Sequence, residues 1–303
     1  MKIIVAGQGP FGEKVLKALL RKGEAIQGVF CLRGRPGDVM KSLAVDSKLA
    51  VFQPKRMKDP EVREAYKTLS PDLVVLAFVT DILPRELLEI PSLGTICYHP
   101  SLLPKHRGAS SINWAIIQGE AKTGLTILWA DAGIDTGPVL LQREVAIEPE
   151  ETTGSLYFNK LFPLGVEAVA EAVELVKKGQ APSIPQDEGL ATYEPPCDDS
   201  VAGIDWSRPG LEIFNLIRGC DPQPGAHTTF QGEKLRLYQP AGFETAGPGN
   251  PGEILEIEHR GLLVSLESAS CRIGKIRGED GKKLDSREFA EKAGLQKGMR
   301  FGS

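Results

Sequence analysis

The stretch "IIVAGQGPFGEKVLKALLRKG", residues 3–23, gives the clearest indication of the fold. An apolar run ends at Gly7, glycines follow at the spacing G-x-G-x-x-G, and valine and leucine then recur at helical spacing until Gly23. A second apolar run, "IQGVFCL", occupies residues 26–32. Strand, helix and strand in this order predict a βαβ unit with two parallel strands.

The same alternation continues through the first half of the chain. Apolar, strand-like runs occur at residues 71–79, 93–101 and 123–131, and a helical pattern fills residues 59–69. We therefore predict an α/β fold, a doubly wound and mostly parallel sheet whose ligands bind at the carboxyl ends of the strands. Apolar residues at helical spacing also predict one long amphipathic helix over residues 156–178.

Residues 179–200 separate two parts of different character. They are rich in proline, glycine and acidic side chains and show no sustained periodicity, which is typical of a linker. Short strand-like runs punctuated by glycine and proline follow this linker and indicate a small β-barrel. We therefore predict two domains, residues 1–200 including the linker and residues 201–303.

Composition argues against several classes of partner. The chain has 303 residues, of which 41% are hydrophobic and 25% charged, a balance typical of a globular protein in solution. A net charge of −4 implies no nucleic-acid or anionic-membrane partner. No apolar run is long enough to span a membrane and no secretory leader is recognisable, so we expect a cytoplasmic protein. The five cysteines lack metal-ligand spacing, so we expect free thiols and no metal.

The glycine turn allows two interpretations. Gly7, Gly9 and Gly12 match the spacing that brings a dinucleotide pyrophosphate to a helix N-terminus. The acidic residue that binds the ribose is missing about 20 residues further on, although Arg33 and Arg35 offer positive charge for a 2′-phosphate. In the alternative, which we prefer, the small residues only permit a tight turn and close helix packing. We therefore expect no NAD(P) at this turn.

A second region is more specific. His99 follows an apolar strand and precedes a proline-bounded turn, and Asp135 lies 36 positions later in the glycine-flanked loop "AGIDTG". Because strand ends at one edge of an α/β sheet form its sites, we expect the two residues to meet there. An imidazole titrates near neutral pH, and a carboxylate beside it stabilises its charged form, so the pair would activate water or an amine. A structural alternative stays open, in which His99 caps its turn and Asp135 starts another.

Around these two residues the chain resembles a known family. The motifs "YHPSLLPKHRGASSINW", residues 98–114, and "DAGIDTGPVLLQ", residues 131–142, are similar to those of the formyltransferases that use 10-formyltetrahydrofolate. Together with "GLATYEPP", "IDWSRP" and "IRGCDPQPGA", they look most like the N-terminal hydrolase domain of 10-formyltetrahydrofolate dehydrogenase. The resemblance covers essentially the whole chain. It implies a doubly wound α/β catalytic domain, an OB-like β-barrel domain and 10-formyltetrahydrofolate as the formyl donor.

The resemblance implies three catalytic residues. His99 would accept the proton of the nucleophile and help to stabilise the tetrahedral intermediate, and Asp135 would hold the ring and favour its charged form. Many members carry an asparagine two positions before the histidine, where this chain has Cys97. A thiol is a weaker donor than an amide, so Cys97 favours the dehydrogenase-type branch over a fast amine formyltransferase. The alternative for Cys97 is a small core thiol.

The resemblance also implies where the folate binds. The pterin would lie against apolar side chains of "FVTDILP", residues 78–84, and against the backbone of "WADAGID", residues 129–135. The implied binding residues are Phe78, Ile82, Leu83, Ser101, Leu102, Arg107, Ala130 and Asp131. The first three have an ordinary place in the core as their alternative, and the hydroxyl of Ser101 has a role in its own turn. Arg107 would meet the acceptor or the folate glutamate.

The sequence leaves the acceptor open. Water, a carrier-bound thiol, a sugar amine and an aminoacyl-tRNA are the acceptors found across such families. Residues 201–303 carry 14 basic and 14 acidic side chains, a balance that argues against tRNA without excluding it. A non-catalytic folate-binding module is one alternative to this enzyme, and an oxidoreductase with NADPH at the glycine turn is another. The sequence equally leaves open whether the chain stands alone or is a module of a larger enzyme.

Overall fold

A computed structural model of the chain describes residues 1–31, 38–79, 81–245 and 249–302. Arg33 and Arg35, considered above for a 2′-phosphate, lie outside the described residues. The chain divides into two compact units. The first unit comprises Met1–Gly108, Gly124–Val145 and Asn159–Tyr193, and the second comprises Ala109–Thr123, Ala146–Phe158 and Glu194–Ser303. The predicted domain boundary between residues 200 and 201 stays a prediction.

The first unit is built around a seven-stranded sheet. Its strands are β1 (Lys2–Gly7), β2 (Ala25–Phe30), β3 (Val51–Phe52), β4 (Leu73–Ala77), β5 (Thr95–His99), β6 (Lys122–Trp129) and β7 (Val139–Ala146). The helices of this unit are α1 (Gly9–Arg21), α2 (Val39–Asp46), α3 (Pro60–Leu69), α4 (Arg85–Leu88) and α7 (Phe162–Lys177), whereas α5 (Ser111–Ile117) and α6 (Thr153–Leu156) belong to the second unit. The strand order is β3–β2–β1–β4–β5–β6–β7. Strands β1 to β5 pair in parallel, which confirms the mostly parallel sheet, and β6 runs antiparallel to β5.

Both faces of this sheet are buried. Successive residues of a strand point to opposite faces, and β1 shows the result. Ile3 and Val5 belong to one core, which they share with residues of α1, α2 and α7. Ile4 and Ala6 belong to another core, which they share with residues of α3 and α4. The continuous apolar run of β1 is therefore explained by helices on both sides, as predicted for a doubly wound sheet.

The glycine turn between β1 and α1 is required by packing. A Cβ atom at Gly7 would overlap the backbone oxygen of Ala77 on β4, and one at Gly12 would overlap the sulfur of Met40 on α2. Gly9 has a φ of +62°. A Cβ atom added there would meet no described residue within 4 Å apart from its chain neighbours and its own helix. Close approach thus accounts for two of the glycines and left-handed backbone for the third.

The helix predicted over residues 156–178 is interrupted. A π-turn at Tyr157–Leu161 separates α6 from α7, and Pro163 stands in the first turn of α7. Proline lacks the N–H that would bond to the carbonyl four residues earlier, so the regular hydrogen-bond ladder cannot pass through it. The prediction of a single helix is therefore wrong at its start. In the described part of the chain, no helix is long and apolar enough to cross a lipid bilayer.

The second unit contains an antiparallel sheet. In chain order its later elements are α8 (Gly210–Gly219), β8 (Ala226–Phe230), β9 (Glu233–Thr245), β10 (Ile254–Glu258), β11 (Gly261–Leu266), β12 (Ala269–Arg277), β13 (Lys283–Asp285) and α9 (Ser286–Ala293). The strand order is β10–β11–β12–β9–β8, with β13 beside β12. All these pairs are antiparallel, which confirms a β-domain after the α/β part. Closure of this sheet into an OB-like barrel stays a prediction.

Gly7→Ala should destabilise the first unit, because the new methyl group overlaps the backbone oxygen of Ala77. Overpacking of this kind costs about 1–3 kcal/mol. We expect a lower midpoint in thermal unfolding of the full chain. Gly203→Ala is the control, since its nearest heavy atom would be a ring carbon of His227 at 3.4 Å, an ordinary contact. Equal midpoints for Gly7→Ala and the unchanged chain would show that β1 and β4 do not approach this closely.

Candidate active site

His99 is held in one orientation by the turn that follows it. It is the last residue of β5 and only 6% of its surface is exposed. Its Nε2 lies 2.8 Å from the backbone oxygen of His106. Because a carbonyl oxygen only accepts, Nε2 carries a proton and donates it. The other ring nitrogen, Nδ1, lies 3.4 Å from Oδ2 of Asp135.

The predicted convergence of His99 and Asp135 is therefore observed. With Nε2 protonated, a neutral ring would turn a bare Nδ1 lone pair towards a carboxylate oxygen, and two acceptors repel each other. The contact becomes attractive when a proton lies between Nδ1 and Oδ2. This arrangement can hold one proton and pass it on. The catalytic roles of the two residues stay predictions.

Asp135 reaches His99 from the opposite end of the sheet. Because β6 runs antiparallel to β5, its last residue, Trp129, pairs with Ile96 and does not lie beside His99. The loop of residues 130–138 must therefore turn back to bring the carboxylate to the ring. The two residues meet as expected, but Asp135 arrives through this returning loop and not from a strand that ends beside His99.

Short hydrogen bonds fix this returning loop. Oδ1 of Asp131 accepts the N–H of Gly133 at 3.0 Å and the hydroxyl of Thr136 at 2.7 Å. Oδ2 of Asp135 accepts the N–H of Gly108 at 2.9 Å in addition to facing His99. Asp131, predicted to bind substrate, thus uses one carboxylate oxygen to shape the loop.

Arg107 belongs to a clamp that the sequence analysis did not find. The side chain is buried, and its guanidinium donates to Gln186, to both carboxylate oxygens of Glu188 and to the hydroxyl of Tyr193, at 2.7–3.1 Å. These bonds engage all five N–H groups. The hydrogen bonds between Arg107 and Glu188 raise the pKa of the guanidinium and lower the pKa of the carboxyl. Arg107 therefore holds protein segments together here and has no donor left for the predicted acceptor or folate glutamate.

The clamped segment, residues 186–193, braces both partners of the pair. Nε2 of Gln186 donates to two backbone oxygens of the loop that carries Asp135, at 2.7 and 2.8 Å. The hydroxyl of Thr192 accepts the N–H of His106 at 2.8 Å. The turn that orients the imidazole and the loop that supplies the carboxylate are thus tied to the same piece of chain.

Cys97 lies beside this pair. It stands two residues before His99 on β5, so both side chains point to the same face of the strand. The thiol is partly buried, and its sulfur lies 3.6 Å from the backbone oxygen of Tyr98. Burial raises the pKa of the Cys97 thiol to about 12, with a smaller contribution from the negative charge of Asp135. Near neutral pH Cys97 is therefore a protonated, weak hydrogen-bond donor.

The residues predicted to line the folate pocket fall into two groups. Phe78 and Ile82 follow β4 and are exposed by 42% and 63%, respectively. Leu83 is buried in the core that contains Ile4 and Ala6 of β1, and Ala130 packs against the same core. The N–H of Ala130 donates to the backbone oxygen of Thr95 at 2.8 Å. Phe78 and Ile82 thus stay candidates for ligand contact, whereas Leu83 has the core role considered as its alternative.

Ser101 and Leu102 serve the turn after β5. Ser101 is fully buried, and its hydroxyl donates to the backbone oxygen of Lys105 at 2.6 Å. The side chain of Leu102 packs directly over Gly124 of β6, where an added Cβ atom would lie 2.6 Å from it. The structure gives both side chains a role within the protein, and their contact with a ligand stays a prediction.

Left-handed backbone marks the loops of the site. Phe78, His106 and Asp135 have φ values of 65°, 56° and 56°, although none of them is glycine. This conformation is unfavourable for residues with a Cβ atom and persists only where the surroundings enforce it. Such residues concentrate at functional sites. The sequence carries no sign of these conformations.

Comparison with known proteins identifies the family. A family model described as formyl transferase matches residues 1–173, and a second, described as formyl transferase, C-terminal domain, matches residues 198–294. The chain belongs to the formyl transferase family. The His99–Asp135 pair lies within the first match, and β8 to β13 lie within the second.

Two relatives illustrate the range of this family. Cytosolic 10-formyltetrahydrofolate dehydrogenase from Xenopus laevis is 38% identical to this chain in an alignment of 316 positions. The alignment covers 98% of this chain and 35% of that protein. Methionyl-tRNA formyltransferase from Syntrophus aciditrophicus is 37% identical to this chain in an alignment of 310 positions. The alignment covers 100% of this chain and 99% of that protein. The formyl transferase chain described here thus spans 35% of the length of its dehydrogenase relative.

Two solved structures share the fold. HypX from Aquifex aeolicus in complex with tetrahydrofolic acid has a TM-score of 0.71 and 22% identity over 96% of this chain and 47% of that chain. The N-formyltransferase from Helicobacter canadensis has a TM-score of 0.70 and 17% identity over 94% and 100% of the two chains. At these identities the similarity concerns the fold alone.

Arg107→Lys should loosen the segment that braces the site. Lysine keeps the charge, but its single nitrogen cannot replace a planar fork that bonds to Gln186 and Glu188 at once. Since Glu188 is largely exposed, we expect a local loss of about 1–2 kcal/mol. This loss corresponds to roughly tenfold faster hydrogen exchange at the amide of Thr192, measured by mass spectrometry.

The control for this test is Arg85→Lys. Arg85 is the first residue of α4 and forms an exposed ion pair with Glu89, which directly follows that helix. This variant should leave exchange at Thr192 unchanged. Unchanged exchange in Arg107→Lys as well would show that the clamp does not hold the segment.

The raised pKa of Cys97 predicts slow alkylation. Only the thiolate reacts, and at about pH 8 a thiol with a pKa of about 12 is ionised roughly a thousandfold less than one with the ordinary value of 9.0. The rate at Cys97 should also rise about tenfold for each added pH unit in this range. Iodoacetamide labelling followed by peptide mass spectrometry measures it, with an unstructured cysteine peptide as reference. A Cys97 as reactive as the reference peptide would contradict the assigned environment.

Proposed function

We propose that this chain removes the formyl group of 10-formyltetrahydrofolate by transfer to water, releasing formate and tetrahydrofolate. The proposal rests on the contact of 3.4 Å between Nδ1 of His99 and Oδ2 of Asp135. Membership of the formyl transferase family supplies the class of reaction. The folate donor is supported by a relative named for 10-formyltetrahydrofolate and by a neighbour of similar fold that binds tetrahydrofolic acid.

We assign the proposed proton transfer to one ring nitrogen of His99. Because Nε2 of His99 is committed to the oxygen of His106, the proton of the attacking water goes to Nδ1. The carboxylate of Asp135 balances the charge of the resulting imidazolium. The His106 carbonyl supports the orientation of the ring from the Nε2 side, in addition to the contact with Asp135 at Nδ1. Breakdown of the tetrahedral intermediate breaks the bond from carbon to nitrogen, and the proton passes to the leaving tetrahydrofolate.

The groups available to bind the folate and to stabilise the formyl oxygen suit a slow hydrolase. The exposed side chains of Phe78 and Ile82 offer an apolar surface to a flat heterocycle. The Cys97 thiol is the donor that stands where many family members have an amide. Loss of one strong donor to a developing oxyanion raises a barrier by about 2.7–4 kcal/mol. We therefore assign this chain a turnover lower than that of a relative with asparagine at this position.

Asp135→Asn should reduce formate release roughly 10²–10⁴-fold, because an amide cannot balance the imidazolium. Binding of the folate should persist, since the apolar contacts are unchanged. Formate release from 10-formyltetrahydrofolate and calorimetric binding of a folate analogue measure the two effects separately. Asp46→Asn, at an exposed position in α2, is the control and should keep full activity. Full activity in Asp135→Asn would remove this residue from the mechanism.

Formylation of methionyl-tRNA is the second candidate function. The relative from Syntrophus aciditrophicus matches over 99% of its own length, and it is named for this reaction. The comparisons do not support the charge argument against tRNA made from the 14 basic and 14 acidic side chains of residues 201–303. Incubation of the donor with water alone, with charged tRNA and with amino sugars, followed by mass analysis, separates these functions. Formate as the main product in every mixture supports the hydrolase. Formylated tRNA as the main product would overturn the hydrolase and support formylation of methionyl-tRNA.

A further inference from the structure

We propose that Cys197 and Cys220 form a reversible disulfide when the protein meets a peroxide. Both thiols are free, both lie in the second unit, and their sulfur atoms are 3.7 Å apart. A disulfide bond is about 2.05 Å long, so the two sulfurs need to approach by about 1.7 Å. Side-chain rotation with a small backbone adjustment can supply a movement of this size. This site is separate from the His99–Asp135 pair and does not depend on the proposed function.

The two thiols have different chemical characters. Cys197 is partly exposed, whereas Cys220 is fully buried. The hydrogen bond between them lowers the pKa of Cys197 and raises the pKa of Cys220, as it does when the S–H of Cys220 donates to the sulfur of Cys197. Because Cys197 is the more exposed of the two, it is the thiol that solvent-borne oxidants reach first, and the buried Cys220 is the resolving thiol.

The oxidation is balanced with hydrogen peroxide as the oxidant. The thiolate of Cys197 attacks one peroxide oxygen, so that an S–O bond forms, the O–O bond breaks and hydroxide leaves. The sulfur of Cys220 then attacks the sulfenic acid at Cys197, forming the S–S bond and breaking the S–O bond. The thiol proton of Cys220 leaves with the hydroxyl group as water. The hydroxide from the first step takes up the proton that Cys197 lost on forming its thiolate, so two thiols are oxidised and one peroxide is reduced to two waters.

Hydrogen bonds hold the backbone at both cysteines in place before oxidation. Cys220 directly follows α8, and its N–H donates to the backbone of that helix. The N–H of Cys197 donates to the hydroxyl of Ser110 at 3.0 Å. Two residues earlier, the backbone oxygen of Pro195 accepts the indole N–H of Trp114 at 2.7 Å. The short distance between the sulfurs is therefore fixed from both sides, which favours an intramolecular bond over oxidation by further peroxide.

Peptide mapping of the folded, full-length chain tests the proposal. The chain is treated with hydrogen peroxide, alkylated and digested with trypsin without reduction. Cleavage after Arg218 places Cys197 and Cys220 on different peptides. We expect these two peptides to be linked, the intact mass to fall by two hydrogen atoms, and dithiothreitol to reverse both changes. Cys197 still available for alkylation after peroxide, or oxidised beyond the sulfenic acid without a linked peptide, would overturn the proposal.

Variants separate the roles of the two thiols. Cys220→Ser should lose the linked peptide and accumulate a sulfenic acid at Cys197, which dimedone traps. Cys197→Ser should lose the linked peptide without labelling at position 220. Cys271→Ser is the control, because Cys271 is a free, buried thiol on β12 that is not a member of the pair, and it should keep the linked peptide. Circular dichroism confirms that each variant is folded, and equal oxidation of both positions in the two serine variants would contradict the assigned order.

Discussion

The hydrogen bond from Nε2 of His99 to the backbone oxygen of His106 determines the chemistry available at the site. It fixes a proton on one ring nitrogen and turns the other towards Asp135 at 3.4 Å. Without it the ring could present either nitrogen, and the carboxylate would face an N–H as readily as a lone pair. With it, Nδ1 is the nitrogen that faces the carboxylate and is open to a proton. The position of one backbone carbonyl thus decides which ring nitrogen takes part in the proposed proton transfer.

The surrounding structure keeps that carbonyl in position. His106 has left-handed backbone, which is unfavourable unless neighbouring contacts enforce it. The hydroxyl of Ser101 closes the turn before it, and Thr192 accepts the N–H of His106 itself. Arg107 fastens the segment that carries Thr192 with hydrogen bonds from a buried guanidinium. Ser101 and Arg107, which the motif assigned to substrate binding, thus contribute to the shape of the site.

The sequence predicted the fold well where local signals suffice. Apolar periodicity specifies β1, α1 and β2, and the spacing around His99 and Asp135 identified both members of the pair. Strand direction is different, because it depends on which neighbours a strand finds, and the antiparallel β6 was missed for that reason. The clamp around Arg107 was missed because its partners lie 79–86 positions away and arginine is rarely buried. The proximity of Cys197 and Cys220 is equally invisible without the folded chain.

The tautomer of His99 is the most direct test of this account. Nitrogen-15 NMR of the chain labelled at its four histidines distinguishes protonated from bare ring nitrogens, and His99→Gln assigns the signals of His99 by their loss. We expect a protonated Nε2 that donates to the His106 oxygen throughout the pH range in which the protein is folded. A neutral ring with its proton on Nδ1 and a bare Nε2 would contradict it.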